Sequence, residues 1–121
     1  MKNSLYGKDI VSIDSLNNQD IELIFEKTKE MEKLVKERGG DDRLSGRIMA
    51  AIFYEPSTRT FSSFVSAAQR LNCGFIPLNG VQNTSVAKGE SFEHTITVLS
   101  RYSDILVIRH PEPEKPRLAA G

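Results

Sequence analysis

The sequence predicts an α/β fold: a single domain in which a mainly parallel sheet forms the middle of a three-layer sandwich. Three observations carry this. Apolar runs of strand length alternate with segments of helical spacing, in the order strand, helix, strand, loop, helix, strand. That alternation with short connections gives crossovers and a parallel sheet. RIMAAIFY (47–54) is a continuous apolar run, as expected of a strand covered on both faces. The chain has 121 residues, which suits one domain and leaves little room for a second.

The elements follow in order. Over 19–38, Ile21, Ile24, Phe25, Thr28, Met31, Leu34 and Val35 recur at spacings of three and four with Glu and Lys between them, the pattern of an amphipathic helix packed on a core. Asn17 or Asn18 can cap its start, and Gly39 with Gly40 ends it. DDRLSG (41–46) is a turn, and the 47–54 strand follows. Beyond the corner at 55–60, Phe61, Phe64, Val65, Ala68 and Leu71 repeat at helical spacing and predict a helix near 58–71. CGFIPLN (73–79) reads as a second strand, and GVQNTSVAKG (80–89), polar with two glycines, as a loop. A helix is expected over 90–102, with Phe92, Ile96, Leu99 and Tyr102 on one side, then a third strand, DILVIRH (104–110). The tail RHPEPEKPRLAAG has three prolines in six residues and closes no obvious element.

Composition narrows the function. Sixteen basic and sixteen acidic residues cancel, so no global field draws the chain to nucleic acid or membrane, and any anion site must be local. The one cysteine, Cys73, excludes an internal disulfide or a multi-cysteine metal site; it reads as a small buried residue and fits a reducing compartment. MKNSLYGKDIVSID has no signal-peptide apolar region, and no run approaches membrane-spanning length. A cytoplasmic protein is expected. His94 and His110 carry no ligand spacing.

Ligands of parallel α/β sheets sit beyond the carboxyl ends of the strands. Three features fall there: the EPSTRT corner, the 80–89 loop and the RHP at 109–111. A helix starting near Thr58 leaves its first amides without intrahelical partners, and together with the helix dipole these suit a phosphate. Ser57, Thr58 and Thr60 add hydroxyls, and Arg59 adds a fork that matches two phosphate oxygens. Neither a phosphate-binding G-x-x-x-x-G-K-[ST] loop nor a dinucleotide G-x-G-x-x-G is present. On residue types alone, Ser57 or Thr58 reads equally as an N-cap and Arg59 as a surface charge. Lys88 reads as a solvated charge, and Arg109 as a partner of Glu112 or Glu114.

FYEPSTRTFSSF (53–64) resembles the carbamoyl-phosphate motif of the transcarbamoylases, whose core is Ser-Thr-Arg-Thr. NTSVAKGES (83–91) and VIRHP (107–111) resemble the aspartate-using members rather than the ornithine-using ones, and LYGKDIVSIDSL (5–16) agrees. The resemblance implies that Ser57, Thr58, Arg59 and Thr60 bind the phosphate of carbamoyl phosphate, and that Thr60 and Arg109 reach its carbonyl side. It places Ser85 and Lys88 on a loop entering a neighbouring subunit's site, as in a homotrimer with shared sites. Arg59, Lys88 and Arg109 would be the catalytic cations. L-aspartate would be the second substrate, and a regulatory chain is a candidate further partner. The reaction, in which an amine attacks a carbonyl carbon and phosphate leaves, needs no metal, cofactor or covalent nucleophile. The charge growing on oxygen is met by preplaced cations.

Two departures stand out. Phe61 occupies a position where many family members carry arginine. The family's His-Pro-Thr-Gln segment and its second, aspartate-binding domain have no counterpart in residues 1–121, so the resemblance covers a carbamoyl-phosphate-binding domain that is expected to show little or no turnover alone. An ornithine-type domain, a non-catalytic phosphate-binding or assembly module, and a domain whose corner is only a helix cap are the alternatives.

Overall fold

A computed structural model describes residues 3–80, 91–112 and 114–120. Two compact units divide the chain, one ending at Gly39 and joined by Ala120, the other running over 40–119. In the first, α1 (Asn18–Arg38) starts on a capping box: the Asn17 side chain accepts from the Asp20 amide, and the Asp20 carboxylate accepts from the Asn17 amide. Asp20 is fully buried and also accepts from the Ser4 hydroxyl at 2.6 Å and from Lys8 Nζ at 3.3 Å. These bonds hold its carboxyl below the usual carboxylate range, the Ser4 bond contributing most. Gly39, at φ +78°, ends the helix, a left-handed cap that suits a residue without Cβ. Phe25, which spacing assigns to the packed stripe, is 63% exposed. It follows Ile24 by about 100° of helical rotation, at the edge of the stripe.

The second unit is the α/β part. β1 (Ile48–Phe53), α2 (Thr58–Arg70), β2 (Gly74–Asn79), α3 (Phe92–Tyr102), β3 (Ile105–Arg109) and α4 (Glu114–Ala120) follow in order. The strands form one parallel sheet in the order β2-β1-β3, with Phe53 opposite Asn79 on one side and Arg109 on the other. Every β1 residue after Ile48 is buried, and the side chains alternate as a pleated strand requires. Met49, Ala51 and Phe53 cluster with Ala68 of α2, with Cys73 and with half-buried Phe61. Ala50 and Ile52 cluster with Phe92 and Ile96 of α3, and Ala119 of α4 joins that side. The sheet is therefore covered on both faces, and each large apolar side chain so buried contributes about 1.5–3 kcal/mol.

The strands keep to the expected spans within one residue, and Cys73 is buried as read. The tail differs: α4 forms where no element was expected. Pro116 lies in its first turn, where a missing N–H costs no helical bond, and the Leu-Ala-Ala that follows favours helix. No helix among the described residues is long and apolar enough to cross a membrane.

Candidate anion site at the carboxyl edge of the sheet

The chain leaves β1 towards α2 on one face, while the elements beside β3 pack on the other. Connections that diverge this way open a crevice beyond the strand ends. The corner at 57–60 leaves β1 there, and Arg109 ends the neighbouring strand.

Three backbone ties fix the edge. Gly80 N–H donates to the Phe53 carbonyl at 2.9 Å, and Tyr54 N–H donates to the Arg109 carbonyl at 2.8 Å. Ser57 N–H donates to Asn79 Oδ1 at 3.1 Å. Ser57 is extended, at φ −151° and ψ 101°, and α2 begins at the next residue.

How the caps are used separates the two readings of the corner. The Asn17 side chain caps α1, and Ser91 caps α3 by accepting from His94 N–H at 3.1 Å. Ser57 occupies the same position on α2, yet its hydroxyl makes no cap bond. The first bond of that helix runs from Phe61 N–H to the Ser57 carbonyl at 3.0 Å. Among the described residues, the amides of Thr58, Arg59 and Thr60 have no hydrogen-bond partner. Three N–H groups, three hydroxyls and the positive end of α2 therefore remain available to an anion.

Arg59 is exposed and, among the described residues, in no ion pair. Arg109 does not pair with Glu112 or Glu114; its Nε lies 3.7 Å from Glu55 Oε1. The residue after it is an anchor. The His110 ring packs against Tyr54 at 4.6 Å and Phe92 at 5.4 Å, and its Nδ1 accepts from Glu112 N–H at 3.0 Å. His94, by contrast, is exposed on α3. The structure thus brings Ser57, Thr58, Arg59, Thr60 and Arg109 to one edge of the sheet, while Ser85 and Lys88 lie outside the described residues. Sequence reasoning passed over Glu55, Asn79 and the anchoring of His110. Glu55 stands inside the quoted motif, but its partner 54 residues on becomes visible only with the register.

A family model described as the aspartate/ornithine carbamoyltransferase carbamoyl-P binding domain matches residues 8–121. The chain belongs to this carbamoyltransferase family. The match includes residues of both compact units. The aspartate carbamoyltransferase catalytic subunit of Methanopyrus kandleri is 44% identical over 117 residues, 97% of this chain and 38% of that protein. The catalytic subunit of M. jannaschii aspartate transcarbamoylase superposes with a TM-score of 0.87 at 41% identity, over 93% of this chain and 37% of the other. The Trypanosoma cruzi aspartate transcarbamoylase solved with carbamoyl phosphate and aspartate gives 0.85 at 36% identity, over 94% and 35%. The chain thus spans well under half the length of these relatives.

Proposed function

We propose that this domain binds carbamoyl phosphate at the 57–60 corner and forms the carbamoyl half of an aspartate transcarbamoylase site. The observation that supports the reading is the unused cap: a serine at the N-cap of α2 whose side chain makes no cap bond, before three amides and a guanidinium without partners among the described residues. The amides of Thr58, Arg59 and Thr60 and the hydroxyls of Ser57, Thr58 and Thr60 take the phosphate oxygens with the Arg59 guanidinium, and Arg109 and Thr60 serve the carbonyl oxygen. The aspartate nitrogen attacks the carbamoyl carbon and loses a proton; the C–O bond breaks, and phosphate leaves with the electron pair. Cations fixed beforehand where that charge develops lower the barrier.

Lys88 and Ser85 would enter from a neighbouring subunit of a homotrimer. Groups for aspartate would come from outside residues 1–121, so these residues by themselves are expected to bind carbamoyl phosphate without turning it over. The likeness to aspartate-named relatives favours aspartate over ornithine. Cytoplasmic pyrimidine synthesis is the corresponding setting.

Isothermal calorimetry with carbamoyl phosphate and with inorganic phosphate tests the reading. Arg59→Ala is expected to weaken both by about 10- to 100-fold, since hydrogen bonds to a charged partner contribute about 1.5–3 kcal/mol. Absence of phosphate binding by the unaltered protein, or equal affinity in the variant, refutes it.

A further inference from the structure

We propose that Asn79 is a positioning residue for the anion corner, holding the Ser57 amide with an acceptor that carries no charge. The inference rests on the reading of the corner as a phosphate seat. Asn79 is the last residue of β2 and lies in register with Phe53, the last of β1. Its Oδ1 accepts from Ser57 N–H at 3.1 Å across 22 residues of chain. The same strand end is tied to β1 a second time, by Gly80 N–H on the Phe53 carbonyl. Ser57 is thus fixed at its amide by β2 and through its carbonyl by Phe61. Its extended backbone directs the first turn of α2.

Of the four leading amides, Asn79 occupies the one at the N-cap, and those of Thr58, Arg59 and Thr60 have no partner among the described residues. The side chain that performs this task must accept a hydrogen bond beside a site for a dianion. Aspartate is the stronger acceptor but would place a negative charge against the ligand. A hydroxyl is shorter. The asparagine amide gives the reach and the acceptor without the repulsion.

Inorganic phosphate is the probe, titrated by calorimetry at low and at high ionic strength with melting temperatures in parallel. Asn79→Ala is expected to bind about three- to tenfold more weakly at both salt concentrations, the effect of one net hydrogen bond. Asn79→Asp keeps the acceptor and the shape. It is expected to bind at least about tenfold more weakly at low salt and to recover affinity as salt screens the added charge. A residue that only stabilised the fold would shift melting and leave the ratio of the two variants' affinities independent of salt. That outcome overturns the inference, as does wild-type affinity in Asn79→Ala. An unaltered protein that takes up no phosphate overturns the phosphate seat itself, and this inference with it.

Discussion

Replacing Glu55 by glutamine asks what keeps Arg109 in place before a ligand arrives. The two side chains are 3.7 Å apart and about half exposed, 50% for Glu55 and 46% for Arg109. Unit charges at that distance attract by about 1 kcal/mol in bulk water and by roughly 4 kcal/mol at an effective dielectric near 20. Exposure on this scale belongs with surface pairs, which contribute about 0–1 kcal/mol after side-chain ordering and screening. The pair is therefore weak enough for a doubly charged phosphate to displace. On the proposed reading, while the pair persists Glu55 would compete with the ligand for the guanidinium and repel the incoming charge.

Glu55→Gln removes both effects and keeps the side-chain length. Carbamoyl phosphate is expected to bind about two- to fivefold more tightly, corresponding to roughly 0.5–1 kcal/mol. The gain should shrink with added salt, and stability should change by no more than about 0.5 kcal/mol, as for most surface substitutions. Calorimetry at two ionic strengths and a thermal melt provide the measurements. Weaker binding in the variant would refute the competition and make Glu55 a support that presents Arg109 to the ligand; unchanged binding at low salt would show that the two groups do not interact when the ligand binds.

Three further substitutions test the frame. A Cβ on Gly40, at φ +154°, would lie 1.9 Å from the Arg70 carbonyl oxygen, which also accepts from Asp41 N–H at 2.9 Å; Gly40→Ala is expected to cost about 2–4 kcal/mol in a urea titration through strain and the lost bond. Phe61 meets Phe53 edge to face at 5.3 Å and is only half-buried, so Phe61→Ala should lose about 2 kcal/mol of stability while phosphate affinity, read by calorimetry, stays within about twofold. Asp20 is held below the usual carboxylate range by Ser4, Asn17 and Lys8, so it stabilises the fold above the unfolded carboxylate pKa, and that contribution is lost as pH falls through its lower folded value. Melting temperatures from pH 7 to pH 2 should accordingly fall less steeply below about pH 4 in Asp20→Asn than in the unaltered protein.

Local pattern made the α/β order legible. An apolar run such as IMAAIF leaves no polar face, so it announced burial on both sides, and Ala50, Ala51, Ile52 and Phe53 are all buried. The corner was legible for a similar reason: its hydroxyls and arginine have no place inside a sheet and must be spent at its end. Contacts across distant sequence were not legible. Asn79 to Ser57, and Arg109 to Glu55 rather than to its neighbours Glu112 and Glu114, depend on which strands lie side by side. Phe61 was legible both as the first residue of the apolar stripe of α2 and as a departure from arginine, but only the sheet shows that its partner is Phe53. Nothing in the spacing of the α1 start marks Asp20 as buried. Its burial follows from Ser4 and Lys8 folding back onto it, which no periodicity encodes. The tail failed in the opposite direction, because proline was weighted as a breaker at a position where a helix has no amide to lose.

With sixteen charges of each sign, the chain can attract a phosphate only over short range. Its field beyond about one Debye length, about 10 Å at 0.1 M salt, is set by small local imbalances. Affinity on the proposed reading must then come from groups already aimed before the ligand arrives, because the long-range steering of a chain with balanced charge is too weak to compensate for disorder. This gives the three ties at the strand ends their importance. Each joins a residue at the mouth of the site to a neighbouring strand, by bonds of 2.8 to 3.1 Å, so the orientation of the leading α2 amides is set by the sheet rather than by a loop. A site of this kind should lose more from a change in a neutral tether such as Asn79 than a strongly basic phosphate site would, since the latter would keep its attraction when its geometry loosened.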